Sequence, residues 1–536
     1  MLIAHDLGTT GDKASLHTDT GALVGAVTVS YPTRYAPLGI VEQDPAHWWT
    51  ALTDATRQLL DRHEVDPADV RGLAISGQMM GAVLLDAAYQ PVRPSIIWAD
   101  TRSGAQCAEL VTRIGAERAY RLLGHRLNPT YSITKVMWVR DHEPETFARV
   151  RHVCLAKDYA VYRLTGRLAT DPSDASSTNA YDQERGTWSD VVLGAAGLDP
   201  ALLPEIVPAT AVVGTVTTAA AEATGLRAGT PVLMGGGDGP LAAVGAGVVS
   251  PADGAYCYLG SSSWVSLAAP RPLHDPAMRT MTFDHVVPGH YVPTATMQAG
   301  GASLEWIADL LEPAGGGDRF DRLVEAADTA TAAGDGLYFL PHLLGERSPY
   351  WDPDAAGAFV GLRRHHDRAH LVRAVLEGVA FNLLTCVDAF REHGVPVDRV
   401  DAIGGGAASD AWLRILADVW GATVRRRSIV EEANSLGAAV TAAVGLGLVD
   451  DFGAARNLSE VTAEFTPDPA RHADYRRRHA IFLDAYRRLE PWNAARGGES
   501  AGGGLAGGGS VGGGSVGGGS AGGESAGGGL AGGGSA

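Results

Sequence analysis

The chain reads as two related α/β domains set around a cleft, and three observations carry that reading. At 536 residues it exceeds what one hydrophobic core usually serves. One short phrase is written twice: an apolar strand runs into Leu7-Gly8-Thr9-Thr10 near the start, and another runs into Leu259-Gly260-Ser261-Ser262 in mid-chain. After each copy the same order follows, with further strand, helix, then a strand that ends in glycine. A glycine lets backbone approach a ligand closely, and successive turn amides with flanking hydroxyls form a concave anion-binding nest. Two such turns suit one polyphosphate held from both sides.

Taken in order, residues 1–13 give strand, turn, strand. Asp44-Pro45 is a helix start, a capping carboxylate followed by proline at the first helical position, with Trp48, Trp49, Leu52, Leu59 and Leu60 at helical spacing behind it. A strand over 70–76, the loop Gly77-Gln78-Met79-Met80-Gly81 and a strand over 82–86 follow. A strand over 230–233 leads into Met234-Gly235-Gly236-Gly237-Asp238-Gly239-Pro240 and a helix over 241–248 built of small residues. Pro251-Ala252-Asp253-Gly254 has turn chemistry and reads as the hinge between the halves. In the second half a helix is expected over 367–392, where Leu371, Val375, Val379, Leu383 and Val387 recur every fourth residue. The strand Val400-Asp401-Ala402-Ile403 then enters Gly404-Gly405-Gly406-Ala407 and a helix from Ser409 through Trp420, a geometry that sets backbone beside a nucleotide.

The resulting division is 1–250, 251–495 and a low-complexity Gly/Ser/Ala tail over 496–536. Such a tail has no apolar surface to offset its ordering entropy and reads as disordered. Deleting the residues after Arg496 is therefore expected to leave melting temperature and turnover where they were; a large loss in either would show that the tail docks.

A formal net charge of −18 argues against a nucleic-acid groove or an anionic membrane surface as partner. Four cysteines, Cys107, Cys154, Cys257 and Cys386, lie far apart without metal-ligand spacing, as in a reducing cytoplasm. No secretory signal and no run of eighteen uninterrupted apolar residues is visible, so a cytoplasmic, membrane-free chain is expected. The oligomeric state stays open, a homodimer included.

Two carboxylates stand out. Asp6 precedes the first phosphate-like turn, where the second copy has Tyr258, an asymmetry that suits a metal-bridged nucleotide with the acid on one side only. Asp238 sits at a glycine-rich tip, placed either to accept a proton from a bound hydroxyl or to cap the helix that follows.

Together the phrases resemble the FGGY carbohydrate kinases. Asp6-Leu7-Gly8-Thr9-Thr10-Gly11, Ser76-Gly77-Gln78-Met79, Ile97-Trp98-Ala99-Asp100-Thr101-Arg102, Gly235 to Asp238, Gly345-Glu346-Arg347-Ser348-Pro349, Trp351-Asp352-Pro353, Gly361-Leu362 and Gly404 to Ala407 fall in that family's order, over about residues 1–490. Lys157-Asp158-Tyr159 and Asp171-Pro172-Ser173-Asp174 add to the likeness and read as architectural.

The resemblance implies two actin-like, ribonuclease-H-type domains with ATP between them and a sugar deep in the cleft. It implies Asp238 as catalytic base, Asp6 as the acid beside Mg2+, Gly8, Thr9 and Thr10 as the first phosphate turn, and Gly260, Ser261 and Ser262 as the second. Gly404, Gly405, Gly406 and Ala407 match the adenosine turn, and Asn434 the closing residue of the adenine pocket; Gln78, Met79, Met80, Trp98, Asp100 and Asp238 would face the sugar. The implied reaction is ATP-dependent phosphorylation of a ketopentose, D-xylulose to D-xylulose 5-phosphate, with ribulose, fuculose, erythritol or glycerol as alternative acceptors. A sensor that closes on ligand without chemistry is the competing class, and it would need neither Asp6 nor Asp238. Two departures bear on the acceptor. The family's xylulokinase branch reads Gln-Met-His-Gly in the sugar loop where this chain has Met80, and often has asparagine after the aspartate where this chain has Gly239. Each removes a hydrogen-bonding side chain.

Overall fold

The computed structural model describes residues 1–37, 39–313, 319–428 and 432–502, with side chains in the last helix described to Arg496. Two seven-stranded sheets dominate, one in each half. The first half supplies β1 (Leu2–Leu7), β2 (Gly11–His17), β3 (Leu23–Ser30), α1 (Pro45–Arg62), β4 (Gly72–Gly77), α2 (Ala156–Thr165), β5 (Val212–Thr215), β6 (Pro231–Leu233) and α3 (Asp238–Gly245). The second supplies β7 (Ala255–Leu259), β8 (Ser263–Leu267), β9 (Met281–Asp284), β10 (Tyr291–Met297), α4 (Arg368–Glu392), β11 (Arg399–Ile403), α5 (Asp410–Trp420), β12 (Thr423–Arg427), α6 (Ala433–Gly445) and β13 (Val461–Phe465).

The duplication read in the turns extends to the whole sheet. The first sheet runs β5-β6-β4-β1-β2-β3 and the second β9-β10-β8-β7-β11-β12-β13. In each, the two strands flanking the Leu-Gly turn pair antiparallel, and the first of them pairs parallel with the strand that follows the long helix, β1 with β4 and β7 with β11. The outer pairs match as well: β5 with β6 and β12 with β13 are antiparallel. Strand β9 is the addition, an extra edge paired to β10.

The helices form where the sequence signals place them. Asp44 caps α1 by accepting from Ala46 N at 2.9 Å, and Trp48, Leu52 and Leu59 on its inner face are buried. Asp367 caps α4 through the backbone N–H of Ala369 at 3.0 Å and of His370 at 3.2 Å. Although α4 is long and apolar enough to cross a membrane, it is buried in the core of the second half, with Val372, Val375, Val379, Leu383 and Val387 all at 0% exposure. Four thiols are buried and unpaired.

At the glycine-rich turn the structure differs from the sequence reading. The helix begins at Asp238 rather than at 241, with Gly237 as its cap, and Gly236–Gly237 continue as a short strand paired to the end of β4. Gly235, at φ +68°, has the backbone oxygen of Ile75 where a side chain would begin, 2.0 Å from an added Cβ. A run of glycines is what allows this close strand-to-strand approach, and it masks the helix start in the sequence. The segment from 503 onward, which holds most of the expected tail, lies outside the described residues, while residues 496–502 close the helix Pro469–Gly502.

Helices α3 and α6 cross where the halves meet, glycine against backbone. A Cβ on Gly437 would lie 2.0 Å from Leu241 O, and one on Gly245 would lie 1.9 Å from Ala433 O. These two helices begin at the two sides of the cleft.

Candidate active site

A cavity of about 180 Å³ lies at this junction. Its first wall comes from the loop after β4, Trp98 just beyond the short strand Ser95–Ile96, and α3: Met79, Met80, Trp98, Asp238 and Gly239. Its second comes from the other half: Ser262, Trp264, Ser266, Met281, Phe283, Thr294, Thr296, Arg347 and Asn434. Strand alternation explains that second wall. Trp264 and Ser266 are two apart on β8, Thr294 and Thr296 two apart on β10, Met281 and Phe283 two apart on β9, and Trp264 pairs with Thr296 as Ser266 does with Thr294.

Asp238 is the acid of the cavity. Its Oδ1 accepts from Gly239 N at 2.8 Å, and its carboxyl is pushed up to about 7, first by burial and then by the negative charge of Asp6. Asp6, at the end of β1, accepts from Ser76 Oγ at 3.1 Å and from Asn434 Nδ2 at 3.3 Å to both oxygens; burial still raises it to about 6. Two buried carboxylates, both raised toward neutrality and one of them by the charge of the other, mark a site where an added cation or a proton transfer is favoured.

The loop that supplies Met79 and Met80 is held from behind. Met80 has φ +65°, its N–H donates to Ser177 Oγ at 3.2 Å, and its carbonyl accepts from Lys135 Nζ at 3.0 Å. Lys135 is buried, also donates to Thr130 O, and is pushed down to about 7 by that burial.

The second phosphate-like turn reaches this cavity through Ser262, and the first stands behind its wall, tied to Trp98. Gly8 N donates to Gly11 O at 3.0 Å, closing the first turn, and Trp98 Nε1 donates to Thr9 Oγ1 at 2.9 Å. Thr10 and Ser261 are exposed at the tips, and Ser262 reaches the cavity wall. In the second turn Gly260 O accepts from Gly301 N at 2.7 Å, so a following helix is anchored on it.

Two residues that the sequence set at the sugar stand elsewhere. Gln78 donates to Gly8 O at 3.2 Å and to Gln43 Oε1 at 2.8 Å, which makes it a brace behind the first turn. Asp100 is fully buried, accepting from Val41 N at 2.6 Å and from Arg102, which in turn meets Glu42 at 2.9 Å. Neither lines the cavity. The Gly404–Ala407 segment forms a tight turn after β11, with Gly404 at φ +87° against Leu259 O and open space over Gly405. Beside it lies a cleft lined by Asp321, Glu325, Asp328, Ser409, Asp410 and Arg414; Asn434 is instead on the central cavity. The buried Lys157 is paired with Asp158 at 2.7 Å and Asp171 at 3.2 Å, and Ser173 Oγ, which donates to Asp171, accepts from Gly237 N at 2.9 Å. That cluster braces the glycine turn, consistent with its architectural reading.

Comparison with known proteins decides the family. The FGGY carbohydrate-kinase N-terminal domain matches residues 1–245 and the C-terminal domain residues 255–446. The chain belongs to the FGGY family of carbohydrate kinases. As a member it is an ATP-dependent sugar kinase. It is 35% identical to the xylulose kinase of Escherichia coli (strain K12) over 492 residues, 92% of this chain and 99% of that one. Among solved structures it is similar to xylulose kinase from Rhodospirillum rubrum, with 32% identity, a TM-score of 0.85, and coverage of 92% and 99% of the two chains. It is also similar to gluconate kinase from Lactobacillus acidophilus, with 26% identity, a TM-score of 0.85, and coverage of 91% and 98%.

Sequence reasoning named Ser262 and Asn434 but missed the rest of the second wall. Trp264, Ser266, Thr294 and Thr296 were legible as a period-two pattern, but nothing in the chain says which sheet face looks into a cleft. Arg347 lay inside a quoted phrase without a role.

Proposed function

We propose that this chain transfers the γ-phosphoryl group of ATP to a hydroxyl of a ketopentose, D-xylulose giving D-xylulose 5-phosphate, in a reducing cytoplasm. The carrying observation is Asp238, a carboxylate raised to about 7 on the wall of a cavity that the second phosphate-like turn reaches through Ser262 and that Trp98, bonded to Thr9 of the first turn, also lines. A base poised near the working pH gives the best product of ionised fraction and proton affinity. Asp238 accepts the hydroxyl proton as the sugar oxygen bonds to the γ-phosphorus and the bond to the β–γ bridging oxygen breaks, leaving ADP. The Gly8–Thr10 and Gly260–Ser262 turns hold the phosphates from opposite sides, so the transferring group stays in line.

The residues fit Mg2+. Asp6 offers hard carboxylate oxygens in a buried site just before the first phosphate-like turn, the donor type that suits an ion keeping waters and phosphate oxygens as most of its ligands. Held through Asp6, Mg2+ supplies neutralisation of the phosphate charge.

A coupled ADP assay across ketopentoses, polyols and aldonic acids tests the reading. ADP release dependent on D-xylulose supports it; no sugar-dependent ADP release from any acceptor would return the chain to the sensor class. One observation favours a second acceptor class, an aldonic acid such as the relative from Lactobacillus acidophilus is named for: Arg347 is a cavity cation without an ion-pair partner among the described residues.

Met80 sets a further expectation. A thioether is a weak acceptor on a bulky apolar body, so this loop discriminates less among hydroxyl patterns than one carrying histidine. Histidine also tolerates the left-handed backbone at φ +65° better than most residues. Met80→His is expected to raise the kcat/KM ratio for D-xylulose over other ketoses and polyols. A parent already selective for D-xylulose, with the variant no better, would take Met80 out of acceptor recognition.

A further inference from the structure

Hydrogen bonds to a bound sugar must come from polar side chains that the protein leaves uncommitted, because a buried donor or acceptor already paired has little left to give. On the first wall Met79 and Met80 offer none, the Trp98 N–H is held by Thr9, and only Asp238 remains, assigned to the reacting hydroxyl. On the second wall Ser266 Oγ and Thr294 Oγ1 bond each other at 2.8 Å, and the Asn434 amide donates to Asp6. Two side chains remain that carry a buried polar atom with no partner, Thr296 at Oγ1 and Arg347 at Nε.

The isolation of Arg347 has a structural cause. Its neighbour Glu346 is the nearest carboxylate in sequence, but Glu346 Oε1 accepts from Gln298 N at 2.9 Å and Arg347 N at 3.0 Å, while Oε2 meets His342 Nδ1 at 3.1 Å and Asn382 Nδ2 at 3.0 Å. The Glu346 carboxylate is thus saturated by other groups, and Arg347, half-buried on the cavity wall, has no ion-pair partner among the described residues; burial lowers its pKa, opposed by the nearby charge of Glu346. A half-buried cation with a buried, unpartnered N–H is unfavourable unless something else supplies an acceptor.

We infer that Arg347 and Thr296, both on the second half of the chain, are the residues that recognise the acceptor's non-reacting oxygens. Arg347 donates to a carbonyl, hydroxyl or carboxylate oxygen, and Thr296 pairs with a hydroxyl. This rests on the sugar-kinase reading of the cavity and adds where its specificity resides. The acceptor is then bridged, with its reacting hydroxyl on Asp238 of one half and its recognised oxygens on the other half. Recognition displaced from the Met80 loop to the facing sheet also accounts for a sugar loop that has no histidine.

The experiment measures KM for D-xylulose, D-gluconate and ATP, with turnover and melting temperature, in the parent, Thr296→Val, Arg347→Met and Arg347→Lys. Thr296→Val keeps the shape and removes the hydroxyl. It is expected to lower kcat/KM for the acceptor by about 10-fold, and Arg347→Met by roughly 10- to 100-fold, with KM for ATP unchanged in both. Arg347→Lys keeps the charge but not the fork and is expected to recover part of the loss. A parent that releases no ADP with any acceptor overturns the sugar-kinase reading itself. An active parent whose Thr296→Val and Arg347→Met forms keep their acceptor kcat/KM overturns this inference alone, as does an equal rise in KM for ATP. If Arg347→Met does not fold, Thr296→Val and Arg347→Lys decide by the same criterion.

Discussion

Asp238→Asn is expected to reduce kcat by roughly a hundred- to ten-thousand-fold, the usual contribution of a positioned general base, while leaving melting temperature and acceptor KM close to those of the parent. The amide keeps the size of the carboxylate and can still accept from Gly239 N, so the first turn of α3 and the cavity wall keep their shape. What is lost is the capacity to take a proton. The same assignment fixes the direction of the pH profile. A base must be ionised to act, and Asp238 is raised to about 7, so activity falls as pH drops below neutrality. Part of that elevation comes from the charge of Asp6, so Asp6→Asn is expected to move the acidic limb to lower pH even as it lowers turnover. Turnover of Asp238→Asn within a few-fold of the parent would sink the base assignment, and an acidic limb unmoved by Asp6→Asn would mean that the two carboxylates do not interact.

How much of this was legible in the chain depends on whether the signal is local. The two Leu-Gly turns, the Asp44-Pro45 start and the Asp367 cap are set by residues within a few positions of each other, and each forms where its own chemistry places it. The duplicated strand order follows because the same run of local elements was written twice. Contacts between distant segments were not legible. Nothing near Asp100 or Gln78 shows that the distant Val41, Gln43 and Gly8 would bond Asp100 Oδ2 and the Gln78 amide N–H, which is why their expected place at the sugar gave no sign of these contacts. The resemblance sets Asn434 at the closing of the adenine pocket, and nothing near it in sequence shows that its amide would donate to Asp6, a contact made because α6 packs against α3. The start of α3 was misread for a different reason: glycines have no side chain to reveal periodicity, and Gly235 to Gly237 are there for backbone approach.

The contact between α3 and α6 makes the second large expectation, since it joins the halves and sets the cavity at once. Gly437→Ala adds one carbon that would stand 2.0 Å from Leu241 O and 2.8 Å from its carbonyl carbon, both backbone atoms that no rotamer change can move aside. Ordinary van der Waals contact lies near 3.4–4 Å. The helices must therefore separate by more than about 1 Å, and overpacking of this kind costs about 1–3 kcal/mol. The same shift reaches the chemistry. Asp238 is the first residue of α3, and Asn434, which donates to Asp6, lies one turn before Gly437 on α6, so parting the helices draws Asn434 and the second wall away from Asp238 and Asp6. A displacement of about 1 Å in reacting groups is enough for a loss on the order of 100-fold. Gly437→Ala is thus expected to lower both melting temperature and turnover, whereas Gly104→Ala, in the helix Gly104–Ile114 with open space around its Cβ position, should change neither. A Gly437→Ala protein with parental stability and turnover would mean that the helix crossing yields without cost and does not set the geometry of the cavity.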